Sequence, residues 1–133
     1  MAFQLKVRDQ EGLASARGGL EFVVYLPEQR VQVGELIRQR VLQEVAAYNQ
    51  RRGDVFQGLV QPSGAERTLN GYRMGKQRLV DGEEQARKAR QAFEENGFIL
   101  LVDERQPAAL DEWVELKPES QVTFLKLVPL VGG

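Results

Sequence analysis

Apolar and polar residues alternate from the start of the chain. Phe3, Leu5 and Val7 stand against Gln4, Lys6 and Arg8, a period of two that predicts a strand with one buried face. Turn-forming residues fill 9–19 (DQEGLASARGG). LEFVVYL over 20–26, rich in β-branched and aromatic side chains and stopped by Pro27, predicts a second strand. The two read as an antiparallel hairpin with a long connection. From Gly34 to Asn49 the period lengthens to that of a helix: Ile37, Val41, Val45 and Tyr48 share one stripe, while Arg38, Gln39, Gln43 and Glu44 face elsewhere. Asn49 and Gly53 mark its end.

A second helix is predicted over 81–96. Asp81, Glu83 and Glu84 crowd its first turn, where the helix dipole favours negative charge, and Asn96-Gly97 stops it. Its apolar stripe is only Ala86, Ala89 and Phe93, the mark of a surface helix with one anchor. FILLV over 98–102 reads as a short buried strand and VTFLKLV over 122–128 as a closing one. The acidic, turn-rich stretch between them is anchored by Leu110, Trp113, Val114 and Leu116. Residues 50–80 read as a long loop with tethering apolar residues, six basic side chains (Arg51, Arg52, Arg67, Arg73, Lys76, Arg78) and two acidic ones. A loop of that length inside a compact domain is uncommon and is often functional.

Composition narrows the chemistry. The 133 residues make one domain with a core large enough to need no staple. No Cys and no His are present, which removes thiol nucleophiles, thiolate metal sites and the commonest general base at neutral pH. A net charge of -1 argues against a surface built to grip nucleic acid or anionic lipid. No apolar run is long enough to span a bilayer, and the first ten residues lack the apolar core of a signal peptide. Carboxylates, Lys, Tyr and hydroxyls remain as catalytic choices, and the expectation is a soluble cytoplasmic protein.

The order hairpin, helix, strand, turn-rich stretch, closing strand is followed by Pro129, Leu130, Val131, Gly132 and Gly133. GFILLVDERQPAALDEWVELKPESQVTFLKLVPLVGG, residues 97–133, resembles the C-terminal half of ubiquitin in length, hydrophobic spacing and ending. LKPESQVTFL followed by PLVGG also resembles the close of the small sulfur carriers of thiamine and molybdopterin biosynthesis. The chain is thus similar to the ubiquitin-like β-grasp family over 1–49 and 97–133, with 50–96 as an insertion. This implies an α+β fold: a mixed sheet on a main helix, plus an inserted loop and second helix. One domain would cover 1–128, with a flexible tail over 129–133.

The resemblance implies a protein modifier, which is itself not an enzyme and holds no metal or cofactor. An adenylating enzyme would transfer the Gly133 carboxylate onto the α-phosphate of ATP, and an amine on a target would then take it. A conjugating-type enzyme and a deconjugating metalloprotease are further implied partners. Gly132 and Gly133 would pass a narrow channel where a Cβ would clash, with Val131, Leu130 and Pro129 recognised behind them. The six residues from Val128 to Gly133 span roughly 20 Å when extended. The alternatives are a sulfur carrier with a C-terminal thiocarboxylate and a non-covalent β-grasp interaction module. Pairing by analogy with ubiquitin turns Leu116, Val122 and Phe124 inward. Ile99, Leu101, Thr123 and Leu125 are then left on the other face as a docking patch, unless helix 81–96 or segment 50–80 covers it.

Other signals point to nothing sharper. Gly71-Tyr-Arg-Met-Gly75-Lys76 is one residue short of a phosphate loop, and Gln77 stands where a Mg²⁺-binding hydroxyl belongs, so it reads as a turn. Adjacent acidic pairs such as Glu94/Glu95 diverge by about 100° on a helix and form no acid/base dyad. Gly18-Gly19 is a turn, and Trp113 reads as a core anchor. Lys6, Lys76, Lys88, Lys117 and Lys126 are the only side-chain amines available should copies be joined to one another.

Overall fold

A computed structural model describes residues 3–11, 20–51, 55–68, 71–74 and 79–127. Strand β1 (Phe3–Glu11) pairs antiparallel with β2 (Leu20–Leu26), from Phe3 opposite Leu26 to Asp9 opposite Leu20. The short β3 (Arg30–Gln32) runs directly into helix α1 (Val33–Arg51). Then come β4 (Val55–Phe56), β5 (Glu66–Thr68), β6 (Gly71–Arg73) and helix α2 (Gly82–Glu94). The chain closes with β7 (Phe98–Val102), β8 (Trp113–Glu115) and β9 (Gln121–Lys126). This is the α+β class the sequence predicts, with a main sheet ordered β2-β1-β9-β7.

The centre of that sheet is a parallel pair, Lys6 beside Gln121 through Glu11 beside Lys126, while β7 runs antiparallel to β9. Parallel neighbours need a crossover, and everything from β2 to β8 supplies it. Alternation puts Leu5, Val7, Val24, Leu26, Leu100, Val122 and Phe124 on the inner face, all buried. They meet Leu36, Ile37, Val41 and Val45 of α1 in one core. Helix α2 packs on α1 through Ala86 and Ala89, and Phe93 joins the chain of rings Phe93, Phe98 and Phe124 at centroid spacings of 6.0 and 5.8 Å.

Two expectations need correction. Segment 50–80 is not simply a loop: its described parts form a small sheet ordered β4-β6-β5, because Val55 and Phe56 pair with Arg73 and Tyr72, and Glu66 and Arg67 pair with the same two residues. Trp113 is not a core anchor. It is 49% exposed on the separate β3–β8 ladder with the Arg30 guanidinium 4.3 Å from its ring centroid, and its strand neighbour Val114 fills the interior instead.

Candidate functional site

The register of β7 on β9 sets Ile99 beside Leu125 and Leu101 beside Thr123, all on the face turned away from α1. Leu116, Val122 and Phe124 point inward, as the spacing predicts. Helix α2 lies on α1, and the 58–59 stretch meets Glu44 of α1 and Lys126 on the helix side of the sheet.

The predicted patch is nevertheless not open apolar surface. Leu125 is only 5% exposed and offers nothing to a partner, while Ile99, Leu101 and Thr123 are half-buried. The exposed apolar side chains of this face lie on β2: Val23 at 43% and Tyr25 at 49%, opposite Lys6 and Gln4. The sequence shows them only as the outward phase of LEFVVYL. Gly132, Gly133, Val131, Leu130 and Pro129 lie outside the described residues.

Arg8 occupies the same outer face, between Glu21 of β2 and Thr123 of β9. Its Nε is the one buried side-chain nitrogen or oxygen among the described residues that has no hydrogen-bond partner. Such an orphan donor costs about 1–3 kcal/mol. No salt bridge among the described residues takes up Arg8 or Lys6. A shallow cavity of about 350 Å³ lies here, lined by Lys6, Arg8, Glu21, Glu119, Gln121 and Thr123 among others. It is positioned by the turn before β9, where Lys117 N–H donates to Ser120 Oγ at 2.8 Å and Ser120 Oγ donates to Asp103 at 2.9 Å.

A second constellation lies on the helix side, where β9 ends. Arg40 of α1 is 1% exposed and donates two bonds to Asp9 of β1, at 2.6 and 2.7 Å, and others to Glu44 at 3.0 and 3.1 Å. Phe22 and Phe124 lie under its guanidinium at 4.9 and 4.5 Å. Glu44 Oε1 accepts the Leu59 N–H at 3.1 Å, and Lys126 Nζ donates to the Gly58 carbonyl at 3.3 Å while lying 3.8 Å from Asp9. Both ends of the single 58–59 peptide unit are therefore held by charged groups that connect through Asp9 and Arg40. Burial works against the charge of Arg40, but Glu44 and Asp9 outweigh it and raise its pKa. For Glu44, burial outweighs Arg40 and the Leu59 N–H, and its carboxyl titrates above the ordinary range.

Sequence reasoning missed this ring. The signal was present: Asp9 falls on the inward phase of β1, and Arg40 lies within the buried stripe of α1. Cavities of about 410 and 330 Å³ flank it, the first lined by Phe22, Gln43, Tyr48 and Phe56, the second by Arg67, Tyr72 and Leu127. Burial raises the Tyr72 pKa against the opposing pull of Arg67.

The carboxylates of the ring are tied to Arg40, and among the described residues no three acidic side chains converge to hold a metal ion. No helix among the described residues is long and apolar enough to cross a membrane. Comparison with protein-family models, with characterised proteins and with solved structures finds nothing that matches this chain.

Proposed function

We propose that this chain is a ubiquitin-like modifier of the β-grasp class. Its Gly133 carboxylate, present as such or uncovered by cleavage, is adenylated by a separate activating enzyme and then joined to an amine of a target protein. The observation that carries this reading is the sheet. A hairpin leads into a helix laid across it, and β9 enters parallel to β1 in the middle of the order β2-β1-β9-β7. A mixed sheet of this order, with a hairpin, a main helix and a parallel closing strand, supports the β-grasp reading, and in the sequence the residues after Lys126 run on to Gly132-Gly133.

In this reading the protein is a substrate in the cytoplasm, and ATP and the catalytic groups belong to its activating enzyme. A conjugating-type enzyme and a deconjugating metalloprotease complete the cycle. The small sheet β4-β6-β5 and α2 distinguish it from minimal members of the class and give the partners a surface of their own.

The test is incubation with ATP and an activating enzyme from the same organism, read by intact mass and denaturing gel. Conjugates at higher mass that vanish when Gly132 and Gly133 are deleted support the proposal. Exchange of one oxygen for sulfur in the intact mass replaces it with a sulfur carrier. Unmodified protein with an enzyme that is active on its own modifier, or conjugation that survives the deletion, overturns it.

A further inference from the structure

Arg8 stands in the outer face of the main sheet with a donor that no described residue satisfies. The buried Nε–H has no acceptor, and the residue directly across the β1–β2 pair, Glu21, is not joined to it in a salt bridge. Lys6, two residues earlier on the same face, forms no salt bridge among the described residues, and Val23 and Tyr25 lie exposed beside it. We infer that this is a docking site for the carboxylate of an aspartate or glutamate side chain on a protein partner. Arg8 holds the carboxylate with Lys6 at its side, and an apolar residue next to it in the partner rests on Val23 and Tyr25.

The donor set selects the ligand. A guanidinium offers two parallel N–H groups that match the two oxygens of a carboxylate; the Nε of Arg8 is enclosed, so a partner's carboxylate takes the terminal Nη groups, which are not among the enclosed atoms, and pairs the charge there. Thr123 Oγ1 and the Gln121 amide are neighbours across the β1–β9 pair and supply further polar contacts. The rim decides against a more highly charged ligand. Glu21 and Glu119 line the same cavity, so the two cations are balanced by two anions. A phosphate dianion or a nucleic-acid backbone would meet both acids, whereas a single carboxylate is matched by Arg8 alone. A strand also holds the Arg8 backbone still, which lowers the entropy lost on binding.

The inference does not rest on the reading of Gly132-Gly133. The probes are the blocked peptides acetyl-Leu-Asp-Leu-amide and acetyl-Leu-Asn-Leu-amide, and inorganic phosphate. Each is titrated into the full chain while the backbone amides and the Arg8 Nε–H resonance are followed by NMR. The expected result is a shift of the Arg8 Nε–H together with the Lys6, Val23 and Thr123 amides, with a Kd on the order of 1 mM for the acid. The amide peptide should bind about tenfold more weakly. Arg8→Lys keeps the charge but loses the fork and should weaken binding severalfold, and Arg8→Gln should abolish it. Should Arg8→Gln fail to fold, Lys6→Gln, expected to weaken binding less than Arg8→Lys, carries the comparison.

Equal binding of acid and amide overturns the inference. So does tighter binding of phosphate than of the acid, shifts confined to another face, or no shift at about 10 mM acid. Deleting Gly132-Gly133 should leave the titration unchanged, so a failure of the modifier proposal and a failure of this one are told apart.

Discussion

Asp103 and Glu104 both have left-handed backbone, φ 49° and 69°, in a two-residue turn closed by Val102 N–H to Arg105 O at 2.8 Å and the reverse bond at 2.9 Å. Turns of this hand follow the twist of paired strands but favour Asn-Gly. Asp103 has a reason to be there: its carboxylate accepts from Ser120 Oγ and from the Gln121 N–H, tying the end of β7 to the start of β9. Among the described residues the Glu104 side chain has no hydrogen-bond or salt-bridge partner, so Glu104→Gly should stabilise the fold by about 1 kcal/mol, read as a higher urea midpoint at unchanged slope. Asn96, φ 61°, fills the same backbone state at the end of α2, where Gly97 N–H reaches back to Ala92 O at 2.7 Å. The helix stop was legible as Asn96-Gly97, but which of the two turns left-handed was not, since glycine is the usual choice.

Arg40 is the residue least visible from sequence, because its role depends on a carboxylate more than thirty positions away. Replacing it by Leu leaves Asp9 and Glu44 without their principal counter-charge and should destabilise the protein by about 3–5 kcal/mol in chemical denaturation. Glu44 sets a pH dependence of unusual sign. Its folded pKa lies above the 4.5 of an ordinary glutamate, so the folded chain holds that proton more tightly than the unfolded one. The stability it contributes is present below pH 4.5 and is lost as pH rises through the raised value. Glu84 acts the other way, lowered first by its hydrogen bond from Arg87, but it lies at the surface, partly exposed, and salt screens it. At high salt, Glu44→Gln should flatten the fall in stability above pH 4.5, and an unchanged slope would count against this assignment.

At the scale of elements, amide side chains do work that periodicity does not encode. Gln43 of α1 accepts from the Tyr25 N–H at 2.8 Å and donates to the Tyr25 carbonyl at 2.7 Å, closing the free edge of β2 as another strand would. Asn49 treats Val80 in the same way at 2.8 and 2.9 Å, and Gln85 donates to the Val60 carbonyl. Gln43→Ala should cost about 1–2 kcal/mol and make light scattering rise with protein concentration, since β2 then presents an uncovered edge. The two helices and the four strands of the main sheet were legible because their burial repeats at 3.6 or 2 residues. The small sheet β4-β6-β5 was not: strands of two or three residues are too short to show a period, and Gly71 sits within one at φ 146°.

For the whole molecule, the order of elements was readable and so was the class of fold. The candidate site was read only in part. Pairing placed Ile99, Leu101, Thr123 and Leu125 on one face, but alternation says nothing about how deeply each one is covered, and Leu125 is covered almost completely. Arg8 and Lys6 were visible only as the polar phase of β1, and that neither forms a salt bridge among the described residues, with Glu21 across from Arg8, is a three-dimensional fact.

The parallel pairing of β1 with β9 also has a kinetic consequence. Lys6 meets Gln121 only when nearly the entire polypeptide has been gathered between them, so the closing rung is among the most distant contacts the protein makes. Refolding should therefore take milliseconds to seconds rather than microseconds, as stopped-flow mixing can show. During that interval the hairpin waits with one flank of β1 unzipped, and the cations at Lys6 and Arg8 then act as gatekeepers, discouraging a second nascent molecule from taking the berth reserved for β9.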